Sequence, residues 1–174
     1  GIPSAEEDEL PDGVVMPRLT EKLPLSSIAD AYRGVIARLL QGDSSGQQVR
    51  SLVVVSPTRG DGKSTLASNL GIGLARAGRR VILVDLSYRR PTLERFFGLE
   101  HEAGLAEVLS GEELDHHPIR KTDLRGLFVL GPGKDVDEIA GKLASPKVER
   151  FLEYAEEECD FVIFDAPPWL LMND

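Results

Sequence analysis

Apolar residues recur at two different periods along this chain. Short runs rich in Val, Ile, Leu and Phe stand at 52–55, 81–84, 127–130 and 161–164, each bounded by Gly, Pro, Asp or a basic or small polar residue. Runs of that length and composition predict strands. Between them apolar positions return at helical spacing, which predicts helices over 64–77, 92–97, 105–110, 136–143 and 146–158. One more helix precedes the first strand, because Ile28, Tyr32, Val35, Ile36, Leu39 and Leu40 share one face. Ser26 and Ser27 offer it N-caps, Asp30 completes a variant of the capping box, and Gly42 stops it. Near-continuous apolar runs suit strands covered on both faces. The alternation therefore predicts an α/β, doubly wound domain with a mainly parallel sheet between helix layers.

Composition refines this picture at the N-terminus. Residues 1–25 hold five acids between Glu6 and Asp12 and prolines at 3, 11, 17 and 24, a mixture that resists regular structure. We read them as an extended acidic, proline-rich lead-in to a domain spanning 26–174. A chain of 174 residues fits one core of ordinary size. The net charge of −9 argues against a nucleic-acid partner, which needs a clustered positive field. The lone Cys159 excludes an internal disulfide. No apolar stretch approaches the roughly 20 residues that cross a bilayer. The chain begins at Gly1 without Met and stops at Asp174 just after a strand-like run, so we expect an excised piece whose final strands are missing and whose absent parts leave room for a membrane anchor.

The chemistry concentrates in "SPTRGDGKSTLASNLG" (56–71), directly after the first apolar run. A strand feeding a glycine-rich turn and then a helix is the layout of a phosphate cradle. Gly60 and Gly62 permit backbone angles and close approach that a Cβ would obstruct. The N–H groups of the stretch Thr58, Arg59, Gly60, Asp61, Gly62, Lys63, Ser64 and Thr65, with the positive end of the following helix, then face the anion. Lys63 reaches the β- and γ-phosphates of ATP, ADP occupies the same cradle, and the Ser64 hydroxyl ligates Mg²⁺. The strict G-x-x-x-x-G-K-[ST] pattern has a first glycine where Pro57 stands here. Two further strand ends carry acids, Asp85 in "VILVD" and Asp165 in "DFVIFDAPP". In an open parallel sheet both emerge at the carboxyl edge beside the loop. Asp165 is expected to hold Mg²⁺ through water or help place the nucleophile, and Asp85 to accept a proton from an attacking hydroxyl and to share the Mg²⁺ site.

Taken in order, "SPTRGDGKSTLASNLG", "VILVDLSYRRPTLERFFGLEHEAGLAEVLSG" and "CDFVIFDAPPWLLMND" resemble the bacterial tyrosine kinases, P-loop NTPase-like ATP-binding domains of polysaccharide co-polymerases. "DAYRGVIARLL" resembles the helix that precedes their loop, so the likeness covers about residues 26–174. The resemblance implies autophosphorylation on a tyrosine-rich C-terminal tail, in trans between neighbouring subunits of a homo-oligomeric ring. It also implies control of capsule or exopolysaccharide polymerisation and export, a membrane-anchored activator segment, fused or separate, and a place at the cytoplasmic face of the inner (plasma) membrane. Carried over by position, Lys63 and Ser64 bind phosphate and Mg²⁺, Asp85 is the first acid of the second motif, Asp165 the acid of the third, and Arg89 and Arg90 match a basic pair. Where the family has a second acid, this chain has Ser87, a hydroxyl that still ligates Mg²⁺ but supplies no charge. Where the family's early helix carries R-x-x-R, Arg33 and Arg38 stand at a different spacing.

Two other readings stay open. One is a catalytically weakened nucleotide-sensing module of the same machinery. The other is a partition or septum-site ATPase switch, whose early loop lysine is replaced by Thr58. Elsewhere ordinary roles come first. His116 and His117 read as a surface turn, Cys159 as a small buried thiol, and Phe96 and Phe97 as core packing. Glu153 and Glu156–Glu158 read as a solvated helix end, and Trp169 as packing or a lid element.

Overall fold

The structure, a computed structural model, describes residues 18, 27–42, 44–55, 62–88, 90–113, 117–134 and 139–171. Helix α1 (Ser27–Gln41) leads into strand β1 (Ser51–Val54), helix α2 (Lys63–Arg76), strand β2 (Val81–Asp85) and the short helices α3 (Leu93–Phe96) and α4 (Leu105–Ser110). Strands β3 (Arg120–Lys121) and β4 (Leu127–Leu130), helices α5 (Ile139–Leu143) and α6 (Lys147–Glu158), strand β5 (Phe161–Asp165) and a 3₁₀ turn (Pro168–Leu171) complete the order. The five strands lie in the order β1-β5-β2-β4-β3. All neighbours run parallel except β3, which pairs antiparallel with β4. The predicted mainly parallel sheet is present, with each of the four predicted strands within a residue of its expected place.

Alternation along the strands explains the two layers. Val81, Leu83, Leu127, Val129, Phe161 and Ile163 point into one core with residues of α1, α2 and α3. Ile82, Val84, Leu130, Val162 and Phe164 point into the other, against α4 and α6. Strands β2 and β5 are buried along their whole length, as near-continuous apolar runs require. Helix α2 lies close to the sheet because it carries Gly71, where an added Cβ would sit 2.8 Å from Leu83 Cδ2. Two residues on, nearly on the opposite face of the helix, Gly73 does the same for α1, since a Cβ there would run into Ile36 Cδ1. Tyr32 is 3% exposed and Phe97 is buried, with Phe96 packed beside the same core, so the phenylalanine pair is core packing as expected.

Several local expectations come out differently. Gly42 does end α1, with φ of +76°, and the Asp30 carboxylate accepts from the Arg33 guanidinium, while Ser26 and the Ser27 side chain, the expected caps, lie outside the described residues. The two-residue β3 and the 3₁₀ turn carry no sequence signal of their own, being too short for any period. The glutamate run is solvated at Glu153, Glu157 and Glu158, whereas Glu156 accepts a 2.7 Å hydrogen bond from Ser51 Oγ and so ties α6 to β1. The lead-in apart from Arg18, the early loop residues 56–61, Arg89 and His116 lie outside the described residues.

Candidate functional site

The parallel register sets three strand ends side by side. Val54 pairs with Asp165, and Asp165 pairs with Asp85, so both expected acids stand adjacent at the carboxyl edge of the sheet. Gly62 comes last before α2 in the left-handed region, with φ of +76° and ψ of 19°, a conformation natural only to glycine. Its carbonyl accepts the first backbone bond of the helix, from Leu66 N–H at 2.8 Å. That turn leaves the first amides of α2, from Lys63 onward, aimed out of the helix N-terminus. Asn69 braces the turn by donating to the Thr65 carbonyl at 2.9 Å.

Ser64 and Asp165 meet directly. The Ser64 hydroxyl donates to Asp165 Oδ2. The other oxygen, Oδ1, is buried and has no hydrogen-bond partner among the described residues. Asp165 is 0% exposed, and burial pushes its pKa up to about 6, with the Ser64 hydrogen bond and the Lys63 charge opposing the rise and the Asp85 charge adding to it. A buried acceptor left unmade costs about 1–3 kcal/mol. An orphaned carboxylate oxygen beside a hydroxyl is a donor set that suits a hard divalent cation such as Mg²⁺. Among the described residues no cluster of three or more His, Cys, Asp and Glu side chains is placed to cage a metal. A cation here would thus take few protein ligands and complete its shell from water and phosphate, as Mg²⁺ commonly does.

Asp85 is equally buried but its oxygens are engaged. Oδ1 accepts from Ser87 N–H at 2.8 Å. Oδ2 accepts from Thr92 N–H at 2.7 Å and Leu93 N–H at 3.0 Å. The carboxylate thereby folds the 86–92 loop back and caps α3. Of the about four acceptor positions on a carboxylate, three are used, which narrows the base role expected of Asp85 to a single remaining lone-pair direction. Ser87 is half-buried beside it, held by the same hydrogen bond. Arg90 is exposed.

Two carboxylates without a sequence signal brace the same edge. Glu94 is 4% exposed and pairs with His101 Nδ1 at 2.7 Å. Glu107 accepts from Gly104 N–H at 2.7 Å and Lys134 N–H at 2.8 Å, joining α4 to the loop after β4. His101 and Lys134 lie in loops seven or more residues away, which no local spacing reveals, whereas Gly104 stands only three residues before Glu107. Away from the edge, His117 sits exposed in a turn where Ile119 N–H donates to its Nδ1 at 3.2 Å. Cys159 is buried, and that burial pushes its thiol up to about 11, in keeping with a packing role.

Comparison with known proteins accords with this geometry. A family model described as "AAA domain" matches residues 50–173. Tyrosine-protein kinase YwqD of Bacillus subtilis is 34% identical over 154 residues, covering 87% of this chain and 63% of YwqD. Tyrosine-protein kinase ptk of Acinetobacter johnsonii is 35% identical over 125 residues, 71% of this chain and 17% of ptk. The chain thus spans less than two thirds of either relative. Among solved structures, the chimerical protein CapA2B2 superposes with a TM-score of 0.80 at 28% identity, over 89% of this chain and 68% of that one. A cobyrinic acid a,c-diamide synthase from Mycobacterium smegmatis, solved with a bound ATP analogue and magnesium, gives a TM-score of 0.59 at 28% identity, over 70% of this chain and 52% of that one. By its match over residues 50–173 the chain belongs to the AAA-domain family, and the curated relatives it resembles across that span are bacterial tyrosine-protein kinases.

Proposed function

We propose that this chain is the ATP-binding module of a tyrosine autokinase that regulates capsule or exopolysaccharide polymerisation and export. The observation that carries the reading is the Ser64 hydroxyl on Asp165, whose second oxygen is buried without a partner among the described residues, one strand from Asp85. The amides from Gly62 onward and the Lys63 ammonium hold the β- and γ-phosphates. Ser64 and Asp165 would hold Mg²⁺, with Ser87 as a neutral oxygen nearby, and a cation there would supply positive charge beside the γ-phosphoryl group. Asp85, with one acceptor direction left, orients the attacking phenol oxygen and takes its proton, while its hydrogen bonds to Ser87, Thr92 and Leu93 keep that oxygen still.

The acceptor tyrosines are supplied in trans by a neighbouring subunit of a ring. Tyr32 is excluded as an acceptor by its burial. No helix among the described residues is long and apolar enough to cross a membrane. A membrane-anchored activator, fused or separate, holds the module at the cytoplasmic face of the inner membrane. Incubation of the full-length protein with Mg·ATP, read by anti-phosphotyrosine blot, tests the proposal. Phosphotyrosine that vanishes in Lys63→Ala supports it, and silence from both the native protein and Ser87→Asp rejects transfer. A nucleotide-sensing module is the second reading, favoured by Ser87 where the resemblance leads one to expect an acid. It predicts ATP-dependent assembly without phosphotyrosine.

A further inference from the structure

The opposite edge of the sheet carries a second polar feature. Where β2 and β4 begin, a cavity of about 750 Å³ opens between the C-terminal end of α2, the turn before β2 and the β3–β4 turn. Five cationic side chains line it: Arg76, Arg79, Arg80, Lys121 and Arg125. The chain has only 20 Lys and Arg against 29 Asp and Glu, so a quarter of its cations gather around one opening in an acidic protein. Among the described residues no carboxylate is paired with Arg79, Lys121 or Arg125. The floor is apolar, with Ile72, Leu124 and Phe128, and the Arg80 guanidinium stands 5.5 Å above the Phe128 ring. Cations around an apolar floor fit an acidic peptide that carries apolar side chains.

Such a segment belongs to this chain and is tethered at the rim. Arg18 donates to Asp123 Oδ2 at 2.8 Å and lies 5.5 Å over the Phe97 ring. Asp123 sits between Thr122 and Leu124, both of which line the cavity. The sequence just before Arg18 reads "EEDELPDGVVMP", residues 6–17, with five acids followed by Val14, Val15 and Met16. From Arg18 an extended chain reaches at most about 20 Å to Asp12 and about 40 Å to Glu6, so every acid is within range of the opening. A tether that short raises the effective concentration to the millimolar range. Contacts worth only about 0.2–1 kcal/mol each at an exposed rim then suffice to populate the docked state.

We propose that the basic cavity at the N-terminal edge of the sheet is a docking site for the chain's own acidic segment, Glu6–Asp12. The consequence is a link between the lead-in and α2. This helix of 14 residues runs about 21 Å from Lys63 and Ser64 at one end to the cavity at the other.

The test uses the full chain, labelled with ¹⁵N, and follows its amide resonances. One variant neutralises Glu6, Glu7, Asp8 and Glu9 to their amides, and a second changes the exposed rim residue Arg125→Glu. Neither touches a core side chain. Docking predicts that neutralising the acids shifts the amides of 76–80 and 121–127. It also predicts that Arg125→Glu shifts the amides of 6–12, and that both effects fade at high salt as screening grows. Shifts confined to residues 1–20, or resonances of 76–80 and 121–127 unmoved by either variant, overturn the proposal. Shifts that disappear on dilution would assign the segment to a second copy. Inorganic phosphate that moves the rim amides equally in native and neutralised chains would assign the cavity to small anions. Both results overturn docking within one chain.

Discussion

Asp165 gives the metal-free protein a pH dependence with a definite sign. Its carboxyl is raised from 3.8 to about 6 in the fold, so between those values the native state binds more protons than the unfolded chain. Stability from this group is therefore fully present below about pH 4 and is lost as pH rises through about 6. A shift of roughly two units is worth about 3 kcal/mol. Asp165→Asn removes the titration while keeping the shape, though its amide meets its own hydrogen-bonding cost, so the informative quantity is a slope and not an offset. Urea denaturation of both proteins without divalent cation, in steps from pH 4 to pH 8, yields the difference in unfolding free energy at each pH. That difference should change by about 3 kcal/mol in favour of Asp165→Asn between the acid and neutral ends. Two curves that run parallel throughout would show that Asp165 is not a buried, under-coordinated carboxylate, and the argument for a cation beside Ser64 would lose its physical ground.

Three further outcomes follow from named contacts. Asp85→Ala leaves the amides of Ser87, Thr92 and Leu93 without their acceptor, so a loss of about 3 kcal/mol or more should appear in the same denaturation assay, whereas a loss below about 1 kcal/mol would mean the loop does not depend on it. Gly73→Ala drives a methyl into Ile36 Cδ1 and should cost about 1–3 kcal/mol. Adding Ile36→Val, which removes that carbon, should recover most of the loss in a double-mutant cycle, and strict additivity would count against the close α1–α2 contact. Cys159, buried and with its thiol raised to about 11, should resist iodoacetamide at neutral pH in the native protein and react on unfolding. Rapid native alkylation would contradict its placement.

What could be read directly from the chain was whatever depends on local period. Strands β2 and β5 show themselves as apolar runs because burial on both faces demands them. Helix α4 shows because Leu105, Ala106 and Leu109 keep helical spacing and share one buried face. The insertion of β5 between β1 and β2 has no local signature, since it is decided by how the crossover helices pack. Glycine and acid placement announced the functional edge and an expected role for each acid, but not the contacts that set the two apart. Asp85 and Asp165 look alike as strand-end acids. Only the loop that folds back to give Asp85 three N–H donors, and the lack of any such loop for Asp165 Oδ1 among the described residues, separates a loop-organising carboxylate from one open to a cation. Glu94 with His101 and Glu107 with Lys134 stayed hidden for the same reason, because loop conformation brings them together.

Titration calorimetry of the folded full chain with Mg·ATP asks whether the amides after Gly62, with Lys63, Ser64 and Asp165, hold a triphosphate and its metal. Saturable heat is expected, weakened about ten- to a hundred-fold by Lys63→Ala, which removes one charged hydrogen bond worth about 1.5–3 kcal/mol. No heat with ATP or ADP, from protein shown by its melting transition to be folded, would contradict a nucleotide site at this edge, and the kinase proposal with it.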